Sequence, residues 1–366
     1  MTPYMRRALQ LARRSLGSTS PNPAVGAVIV KDGRIVAEGA TRPPPGPHAE
    51  VVALSKAGAA ARGAALYVSL EPCAHHGRTP PCTESILAAG ISEVHFSVLD
   101  PDPQVNGKGK AALEAGGVKV MAGDSEEEAS KLLEAYIKHR RTGLPFVIAK
   151  FAASLDGRIA AASGDSRWVS SPQSLAWSHR LRMQVDAIAV GSGTVLADNP
   201  LLTARPRGKT AKRQLLRVVL DSRGRIPASA QVLNSDAPTL VATTEESPVK
   251  WRKAMQASGA EVLLLPIQGK HVDSLQLLRE LGQRGVLSLL LEGGGVLLGD
   301  FFDRQLVDKV HAIIAPMIIG AAEAATPVSG KGAQRMADAL RLREVSLRRL
   351  GPDILVSGYP DKGRPR

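Results

Sequence analysis

Apolar and polar positions along the chain alternate in blocks that predict helices and strands in turn. A helix is expected over residues 4–16, and the apolar run 24–30, the turn Lys31-Asp32-Gly33 and the segment 34–40 predict a β-hairpin after it. Further along, the pattern predicts helices from about His48, after Thr79 and over 107–117, and strands over 64–70, 92–100 and 118–123. This order of elements is typical of a layered α/β domain.

A second α/β pattern follows a charged helical segment at residues 125–143. We place a domain boundary at Gly143-Leu144-Pro145 and expect two domains, 1–143 and 145–366. In the second domain the pattern predicts helices over 171–185 and 274–285, and strands over 145–160, 186–195, 216–221, 239–244, 261–266, 286–295, 310–320 and 353–359. No segment repeats at a fixed period, so the two domains are expected to differ.

Length and composition are those of a soluble protein with two hydrophobic cores. The chain has 366 residues, of which 44% are hydrophobic. It contains no apolar stretch long enough for a membrane span, and its first residues lack the apolar core of a secretory signal. We therefore expect a cytoplasmic protein without membrane partners. In that reducing compartment a pair of cysteines more often binds a metal or takes part in catalysis than forms a disulfide. A disulfide nevertheless remains an alternative at this point.

The formal charge of +13 raises the question of a nucleic-acid partner. Residues 1–145 contain 17 Lys and Arg against 14 Asp and Glu, so most of the excess lies in the second half. Aromatic residues make up only 3% of the chain, which leaves little surface on which bases could stack. We favour a solvated basic surface and expect no nucleic-acid partner.

Both cysteines of the chain, Cys73 and Cys82, lie in the segment "LEPCAHHGRTPPCTESI". A catalytic zinc site usually has three protein ligands and an open position, so a third ligand is needed; His48, His75 and His76 are nearby in the sequence. The pattern His48-x-Glu50, then Pro-Cys73, then Cys82 matches the signature of zinc nucleobase deaminases, except that eight residues rather than two separate the cysteines.

The segment that contains the two cysteines, together with several neighbouring segments, resembles the first half of the bifunctional riboflavin-biosynthesis deaminase/reductase family. The segments that carry the resemblance are "PNPAVGAVIVKDG", "HAEVVAL", "PCAHHGRTPPC" and "DPDPQVNGKG". It implies a cytidine-deaminase-like three-layer domain with zinc held by His48, Cys73 and Cys82, and Glu50 as the catalytic residue that transfers protons. It also implies four substrate contacts: Asn22, His75, Arg78 and Asp100. Thr41 departs from the family, in which many members have histidine, and is left out of the site.

The second half carries a glycine-rich turn, "SLLLEGGGVLLGDFF", in which an apolar strand runs into a helix. Glycines let backbone amides approach a ligand, and a helix N-terminus favours phosphate, but a tight structural turn explains the glycines equally well. The dinucleotide fingerprint G-x-G-x-x-G is absent. The segments "KFAASLDGRIA", "GDSRWVSS", "GSGTVLADNPLLTAR" and "LEGGG" resemble the reductase half of the same family, which implies a dihydrofolate-reductase-like fold and NADPH as cofactor.

The resemblance assigns residues to two ligands in this half. The cofactor would contact Ala152, Trp168, Thr194, Asp198, Ser222, Gly294, Gly295, Val296, Leu297, Leu298, Gly299 and Asp300. The substrate would contact Ser166, Arg182, Leu202, Arg205 and Glu292. The two arginines suit a substrate phosphate, because guanidinium binds two oxygens at once. Without the resemblance, each of four residues has a simpler explanation. Arg182 would be a charge on a helix surface, and Arg205 would lie in a solvated loop. Asp198 would belong to a turn that ends a helix, and Trp168 would be a core residue.

The resemblance therefore implies a zinc-dependent deaminase followed by an NADPH-dependent reductase. The substrates that it implies are small molecules: a diaminohydroxyphosphoribosylaminopyrimidine is deaminated, and the ribosyl group of the resulting phosphoribosylaminouracil is reduced to a ribityl chain. We expect a homo-oligomer, either a dimer or a tetramer. The alternatives are a deaminase of tRNA or single-stranded nucleic acid, and a non-catalytic zinc-stabilised module; the latter has no need for Glu50.

Overall fold

The chain divides between Leu144 and Pro145 into two units, Met1–Leu144 and Pro145–Arg366, within the segment Gly143-Leu144-Pro145. The computed structural model describes residues 1–75, 80–103 and 105–363. Each unit builds its own β-sheet, as the two α/β patterns predict. Within the described ranges, no helix has the length and apolar character that a membrane crossing requires.

Unit 1 consists of helices on a five-stranded sheet. Its elements are α1 (Pro3–Ser15), β1 (Gly26–Lys31), β2 (Arg34–Ala40), α2 (Ala49–Ala57), β3 (Ala65–Leu70), α3 (Cys82–Ala88), β4 (Glu93–Val98), α4 (Lys108–Ala115), β5 (Lys119–Ala122), α5 (Glu126–Leu132) and α6 (Glu134–Thr142). The strand order is β2-β1-β3-β4-β5. The first three strands pair antiparallel, whereas β3, β4 and β5 are parallel.

Two glycines let the first helices lie close against this sheet. A Cβ atom at Gly26 in β1 would lie 2.0 Å from the carbonyl oxygen of Ala8, and one at Gly39 in β2 would lie 2.1 Å from that of Ala49. The start of α2, with His48 and Glu50, is therefore fixed against β2. Since β3 and β4 are parallel, the residues that follow Leu70 and Val98 emerge at the same edge of the sheet.

Unit 2 is built on a longer sheet of mostly parallel strands. Its elements are β6 (Phe146–Ser154), α7 (Pro172–Arg182), β7 (Ala187–Gly191), α8 (Ser192–Asp198), β8 (Leu216–Leu220), β9 (Thr239–Thr243), α9 (Val249–Ala257), β10 (Glu261–Leu264), β11 (Ile267–Gln268), β12 (His271–Val272), α10 (Ser274–Gln283), β13 (Ser288–Leu291), α11 (Gly295–Asp303), β14 (Lys309–Ala315), β15 (Leu342–Leu350) and β16 (Asp353–Pro360). The order is β10-β9-β8-β7-β13-β6-β14-β16-β15, and β11 and β12 form a separate hairpin.

In the large sheet only β16 runs opposite to the other strands, and it pairs antiparallel with β14 and with β15. The strands β8, β7, β13 and β6 are parallel and adjacent, so that their carboxyl ends meet at one edge. In open α/β sheets, ligands bind at this edge. The glycine turn after β13 lies there and leads into α11.

The structure departs from the predicted elements at a few places. Residues 192–195, predicted to continue a strand, belong to the helix α8, which ends at Asp198 with Asn199 in the left-handed conformation (φ 40°). The predicted helix-ending turn after Asp198 is thus present. The helix α9 and the strand β15 were not predicted, and the single helix expected after residue 125 is two helices that meet at Leu133.

Candidate active sites

In unit 1, one imidazole and two thiols converge on a single point. The ligand atoms of His48, Cys73 and Cys82 all lie within 4.8 Å of one another. The Nδ1 atom of His48 is 3.7 Å from Sγ of Cys73 and 3.4 Å from Sγ of Cys82. Both cysteines are free, so the structure contains no disulfide between them. Of the two described histidine candidates, His48 and His75, His48 is the one that the structure brings to the cysteines, and His76 lies outside the described residues.

The local backbone explains this convergence. His48 is the N-cap of α2, and Cys82 is the first residue of α3, so each side chain leaves the start of a helix. Cys73 lies in the loop after β3, and its Sγ accepts a hydrogen bond from the backbone N–H of Cys82 at 3.4 Å. Helix N-termini and N–H donors favour thiolates, which are the form of cysteine that binds metals.

Hydrogen bonds within the cluster also bring one thiol to its ionised form. The hydrogen bond from Cys82 lowers the pKa of Cys73 to about 4, although burial opposes this shift. The same hydrogen bond, together with burial, raises the pKa of Cys82. The hydrogen bond with Cys73 raises the pKa of His48. The shared hydrogen bond therefore favours ionisation of Cys73 over that of Cys82.

Glu50 lies beside this cluster and is buried in the first turn of α2. Burial raises its pKa to about 7, and the nearby His48 partly offsets the effect. Its carboxylate is within hydrogen-bonding reach of Cys82. A carboxyl group with a pKa near neutrality can both accept and donate a proton, which is what a general acid-base residue requires.

Glu71, which was not found from the sequence, fixes the loop that follows β4. Its buried carboxylate accepts hydrogen bonds from three backbone N–H groups: Oε2 from those of Asp100 at 3.1 Å and Gly107 at 3.0 Å, and Oε1 from that of Lys110 at 3.0 Å. Since Glu71 stands two residues before Cys73, it couples the cysteine loop to the loop that follows β4. Its position in "LEPC", directly before the proline, is the only signal that the sequence offers.

The predicted substrate residues of unit 1 fall in several places. Asp100 is buried at the end of the Glu71-bound loop. Asn22 is half-buried in the loop before β1, where its backbone N–H donates to the carbonyl of Thr19. His75 is half-buried, and its Nδ1 atom is enclosed without a hydrogen-bond partner among the described residues. Arg78 lies outside the described residues. The contact of these four residues with substrate stays a prediction.

Thr41, at the position where the family resemblance leads one to expect histidine, has a local role. Its side chain is buried, and Oγ1 accepts a hydrogen bond from the backbone N–H of Val25 at 3.2 Å. The backbone N–H of Thr41 in turn donates to the carbonyl of Val25 at 3.0 Å. These contacts continue the pairing of β1 and β2 toward the site.

In unit 2, a cavity of about 430 Å³ opens at the carboxyl edge of the sheet; we call it the glycine-turn cavity. Its lining includes Lys150, Ala152, Ser166, Thr194, Asp198, Glu292 and residues 293–297. The hydroxyl of Ser166 donates to Oδ1 of Asp198 at 2.7 Å, and the backbone N–H of Gly294 donates to Oγ1 of Thr194 at 3.0 Å. Predicted cofactor residues and predicted substrate residues thus share one cavity.

Glu292 lines this cavity and forms ion pairs with two basic residues. Its carboxylate accepts hydrogen bonds from Arg182, from Nε at 3.1 Å and from a terminal nitrogen at 2.8 Å, and Nζ of Lys150 lies 3.7 Å away. Although burial opposes ionisation, the charges of Arg182 and Lys150 lower the pKa of Glu292 to about 2. The carboxylate is therefore ionised at neutral pH. Arg182 is not a helix-surface charge, and Lys150 was not found from the sequence.

The contacts of the two predicted phosphate ligands differ. Arg182 uses two of its nitrogens on Glu292, and the third donates to the carbonyl oxygen of Thr203 at 3.1 Å. Arg205 is half-buried and donates one side-chain hydrogen bond, to Oγ1 of Thr203. Arg182 thus holds Glu292 with two of its nitrogens, whereas Arg205 keeps more of its side-chain donors available.

The glycines after β13 differ in the space that surrounds them. A Cβ atom at Gly295 would lie 2.5 Å from Oγ of Ser329, and one at Gly299 would lie 1.2 Å from the carbonyl oxygen of Ser329, so both are required by packing. At Gly294, the nearest atom to an added Cβ is Oγ1 of Thr194 at 3.5 Å, which is an ordinary contact. Gly294 faces the cavity, where the absence of a side chain leaves room for a ligand.

The remaining predicted residues of unit 2 lie outside this cavity. Trp168 is 69% exposed and is not a core residue, whereas Leu298 and Leu202 are buried. Ser222 and Asp300 line an adjoining cavity together with Val296 and Leu297, which border both. The predicted cofactor residues that line a cavity are therefore divided between two neighbouring cavities.

Comparison with known proteins decides the family. Residues 145–356 match the family model described as "RibD C-terminal domain", and residues 2–98 match "Cytidine and deoxycytidylate deaminase zinc-binding region". The riboflavin biosynthesis protein RibD of Bacillus amyloliquefaciens is 41% identical over 362 residues, which cover 99% of this chain and 96% of that protein. The chain belongs to the RibD family.

Solved structures of the RibD family agree with both units. The chain matches Acinetobacter baumannii RibD, form 1, with a TM-score of 0.87 and 36% identity over 98% of each chain. It also matches the deaminase/reductase of Thermotoga maritima with a TM-score of 0.85 and 35% identity, over 98% of this chain and 97% of that one. As a RibD family member, the chain combines a cytidine-deaminase-like domain with a pyrimidine reductase domain, as predicted.

The residues present fit both cofactors of the RibD family, which are zinc and NADPH. Two thiols and an imidazole are ligands that zinc prefers, and three of them leave the fourth position open. For NADPH, the start of α11 lines the glycine-turn cavity, and Gly294 leaves space at the point where a ligand would approach.

Proposed function

We propose that unit 1 deaminates diaminohydroxyphosphoribosylaminopyrimidine and that unit 2 reduces 5-amino-6-(5-phosphoribosylamino)uracil, the two activities named for the Thermotoga maritima relative. The observation that carries the proposal is the presence, in one chain, of two separate sites: the cluster His48, Cys73 and Cys82 beside buried Glu50, and the glycine-turn cavity around ionised Glu292. A nucleic-acid deaminase has no use for the second site.

In the deaminase site, zinc supplies Lewis acidity for hydrolysis when it is bound at His48, Cys73 and Cys82. Glu50 takes a proton at its carboxylate from the attacking water and delivers it to the departing amine. Its pKa of about 7 keeps both protonation states populated near neutral pH. Asp100 and His75, with Asn22 and Arg78, would hold the pyrimidine and its substituents. Asp100 supplies a buried acceptor for amino N–H groups, and His75 supplies an unpartnered ring nitrogen.

In the reductase site, NADPH is the two-electron donor when it is bound. Glu292, held ionised by Arg182 and Lys150, accepts hydrogen bonds from hydroxyl groups of the ribosyl chain. Lys150 lines the same cavity and offers N–H donors to ribosyl oxygens. Arg205 binds the 5′-phosphate, and Ser166, fixed by Asp198, lies at the wall where substrate and cofactor meet.

The test measures the two reactions separately in the purified full chain. Incubation with the diaminopyrimidine substrate alone should release ammonia without NADPH, and addition of NADPH should then consume one NADPH for each ammonia. Ammonia release without NADPH oxidation would refute the reductase half, and the reverse would refute the deaminase half. The homo-oligomeric state and the cytoplasmic location stay predictions from the sequence.

A further inference from the structure

One segment of unit 2 has an unusual backbone and carries two of the predicted substrate residues, Leu202 and Arg205. It comprises residues 199–205, directly after α8, and we call it the Leu202 loop. Asn199 and Leu202 both have a left-handed backbone, with φ of 40° and 52°. Asparagine adopts this conformation readily, whereas leucine does so rarely and only where its surroundings impose it. Contacts from outside the loop are therefore needed to fix Leu202.

Side chains from the start of β8 supply part of this restraint. The amide group of Gln214 pairs with the backbone of Ala204, since Oε1 accepts from the N–H at 3.0 Å and Nε2 donates to the carbonyl oxygen at 3.2 Å. The buried guanidinium of Arg217 donates to the carbonyl oxygen of Leu201 at 3.3 Å. The backbone is thus held both before and after Leu202.

His179 in the last turn of α7 makes a further contact, at Arg205 itself. Its Nδ1 atom accepts a hydrogen bond from the backbone N–H of Arg205 at 3.2 Å. His179 stands three residues before Arg182, so both side chains leave the same side of the helix. The end of α7 therefore holds Glu292 through Arg182 and the Leu202 loop through His179.

The imidazole of His179 is neutral at this position. Burial lowers its pKa to about 4, and the charges of Arg182 and Arg205 act in the same direction. A neutral imidazole has one ring nitrogen that accepts and one that donates, whereas both nitrogens of the protonated ring donate. Nδ1 is therefore an acceptor at neutral pH, and His179 brings no cation of its own to the loop.

The orientation of the Arg205 side chain depends on the backbone that His179 holds. Its guanidinium donates to Oγ1 of Thr203 at 3.1 Å, and Thr203 belongs to the same loop. A shift of the loop would therefore move the guanidinium as well. Two-oxygen binding of phosphate requires the planar guanidinium to have a defined orientation.

We propose that His179 is a positioning residue of the reductase, which fixes the backbone of Arg205 so that the guanidinium meets the 5′-phosphate of the substrate. His179 thereby makes the enzyme select phosphorylated over dephosphorylated substrate. The inference rests on the proposed reductase function and adds a residue that the family resemblance does not assign to the site. Loss of the Nδ1 acceptor should weaken binding of the phosphate end without slowing reduction of bound substrate.

The test is steady-state reduction by the full chain at saturating NADPH. The substrates are 5-amino-6-(5-phosphoribosylamino)uracil and the same compound without its phosphate. His179→Ala should raise the KM for the phosphorylated substrate about tenfold, because a backbone donor loses its acceptor, while kcat stays within about twofold. The ratio of kcat/KM for the phosphorylated compound to that for the dephosphorylated one should fall by about the same factor.

Two further variants and a control identify the atom responsible. His179→Asn places an amide oxygen near the position of Nδ1 and should return the KM to within about threefold of the wild type. His179→Gln fills similar space but places its oxygen farther along the side chain, so its KM should stay raised. Arg180→Ala, which removes an exposed cation beside His179 on α7, is the matched control and should change neither KM nor the ratio.

The outcomes separate this inference from the proposed function. A wild-type chain that does not reduce the phosphorylated substrate would overturn both. An active wild type with an unchanged KM in His179→Ala, or with an equal loss for both substrates, would overturn the role of His179 and leave the reductase function intact. If His179→Asn is as impaired as His179→Gln, the backbone hydrogen bond is not the cause, which also overturns the inference. This pair still decides if His179→Ala fails to fold, because both side chains fill the space.

Discussion

The hydroxyl of Tyr136 donates a hydrogen bond to the carboxylate of Asp100, with 3.0 Å between the hydroxyl oxygen and Oδ1. Tyr136 lies in α6, the last helix of unit 1, and Asp100 follows β4, so the contact ties the end of the domain to the predicted substrate site. Burial raises the pKa of Asp100 to about 6, and the hydrogen bond from Tyr136 restrains that rise by stabilising the ionised form.

Replacing Tyr136 by phenylalanine should therefore raise the pKa of Asp100 further. Because an ionised Asp100 is needed to accept hydrogen bonds from substrate amino groups, the acid limb of kcat/KM for deamination should move to higher pH by about one unit. The measurement is ammonia release as a function of pH. A limb that stays in place would mean that Asp100 does not act as a carboxylate toward substrate. Reduction of presupplied aminouracil substrate should be unchanged.

The same raised pKa has a consequence for stability. The native Asp100 binds its proton more tightly than the unfolded chain does, so its ionisation opposes folding. Its contribution to the free energy of unfolding is fully present below about pH 4, the ordinary aspartate value, and is lost as the pH rises toward about 6.

Cys73→Ser and Glu50→Gln should separate metal binding from proton transfer. Cys73→Ser removes a thiolate ligand and should lose both zinc and deamination, whereas Glu50→Gln keeps all three ligands and should retain about one zinc per chain. Deamination by Glu50→Gln should nevertheless fall by about 10²- to 10⁴-fold, the usual contribution of a general acid-base residue. Metal analysis and ammonia release on the same preparations test this. Normal deamination in zinc-loaded Glu50→Gln would point to a structural metal.

Replacing Gly294 and Gly299 by alanine should affect two different properties, cofactor binding in the first case and protein stability in the second. A Cβ at Gly294 has room in the protein but projects into the glycine-turn cavity, so Gly294→Ala should keep its melting temperature and lose part of the thermal protection by NADPH. A Cβ at Gly299 would collide with the carbonyl oxygen of Ser329, so Gly299→Ala should lower the melting temperature of the ligand-free protein. Full NADPH protection of Gly294→Ala would place the cofactor elsewhere.

Arg205→Ala and Arg182→Ala distinguish a phosphate ligand from a partner of Glu292. Arg205→Ala should raise the KM for the reductase substrate while kcat and NADPH binding stay nearly the same. Arg182→Ala leaves Glu292 buried with Lys150 as its remaining cation, and breaking a buried pair typically costs about 3–5 kcal/mol. Denaturant unfolding and steady-state kinetics measure these effects. Equal loss of stability in both variants would contradict the distinction.

The sequence was most informative where the chemistry restricts the residue type. Zinc accepts few side chains, so His48, Cys73 and Cys82 could be found from spacing, and the structure brings their ligand atoms together. Glu71 and Tyr136 could not be found this way. The roles of the Glu71 carboxylate and the Tyr136 hydroxyl depend on contacts with loops about 30 residues away, which only the fold brings close. Glutamate and tyrosine also occur in many other settings, so the residue type alone does not indicate these roles.

The prediction of secondary structure failed where the local sequence pattern and the tertiary context disagree. The segment that forms α8 follows the apolar strand β7 directly and contains Thr194 and Val195, which favour strands. The strand β15 lies at the edge of its sheet with nearly all of its side chains exposed, so it lacks the alternation that marks a half-buried strand.

The place of β6 in its sheet has a consequence for synthesis on the ribosome. β6 is the first strand of unit 2, yet its two neighbours are β13 and β14, and more than 130 residues of chain separate Ser154 from Ser288. At about 5–20 residues per second, the newly made strand waits on the order of ten seconds for a partner, while unit 1, whose strands end at Ala122, can already fold. Nascent chains stalled before residue 288 should therefore show a protease-resistant deaminase domain followed by a protease-sensitive, apolar β6 that is open to capture by chaperones.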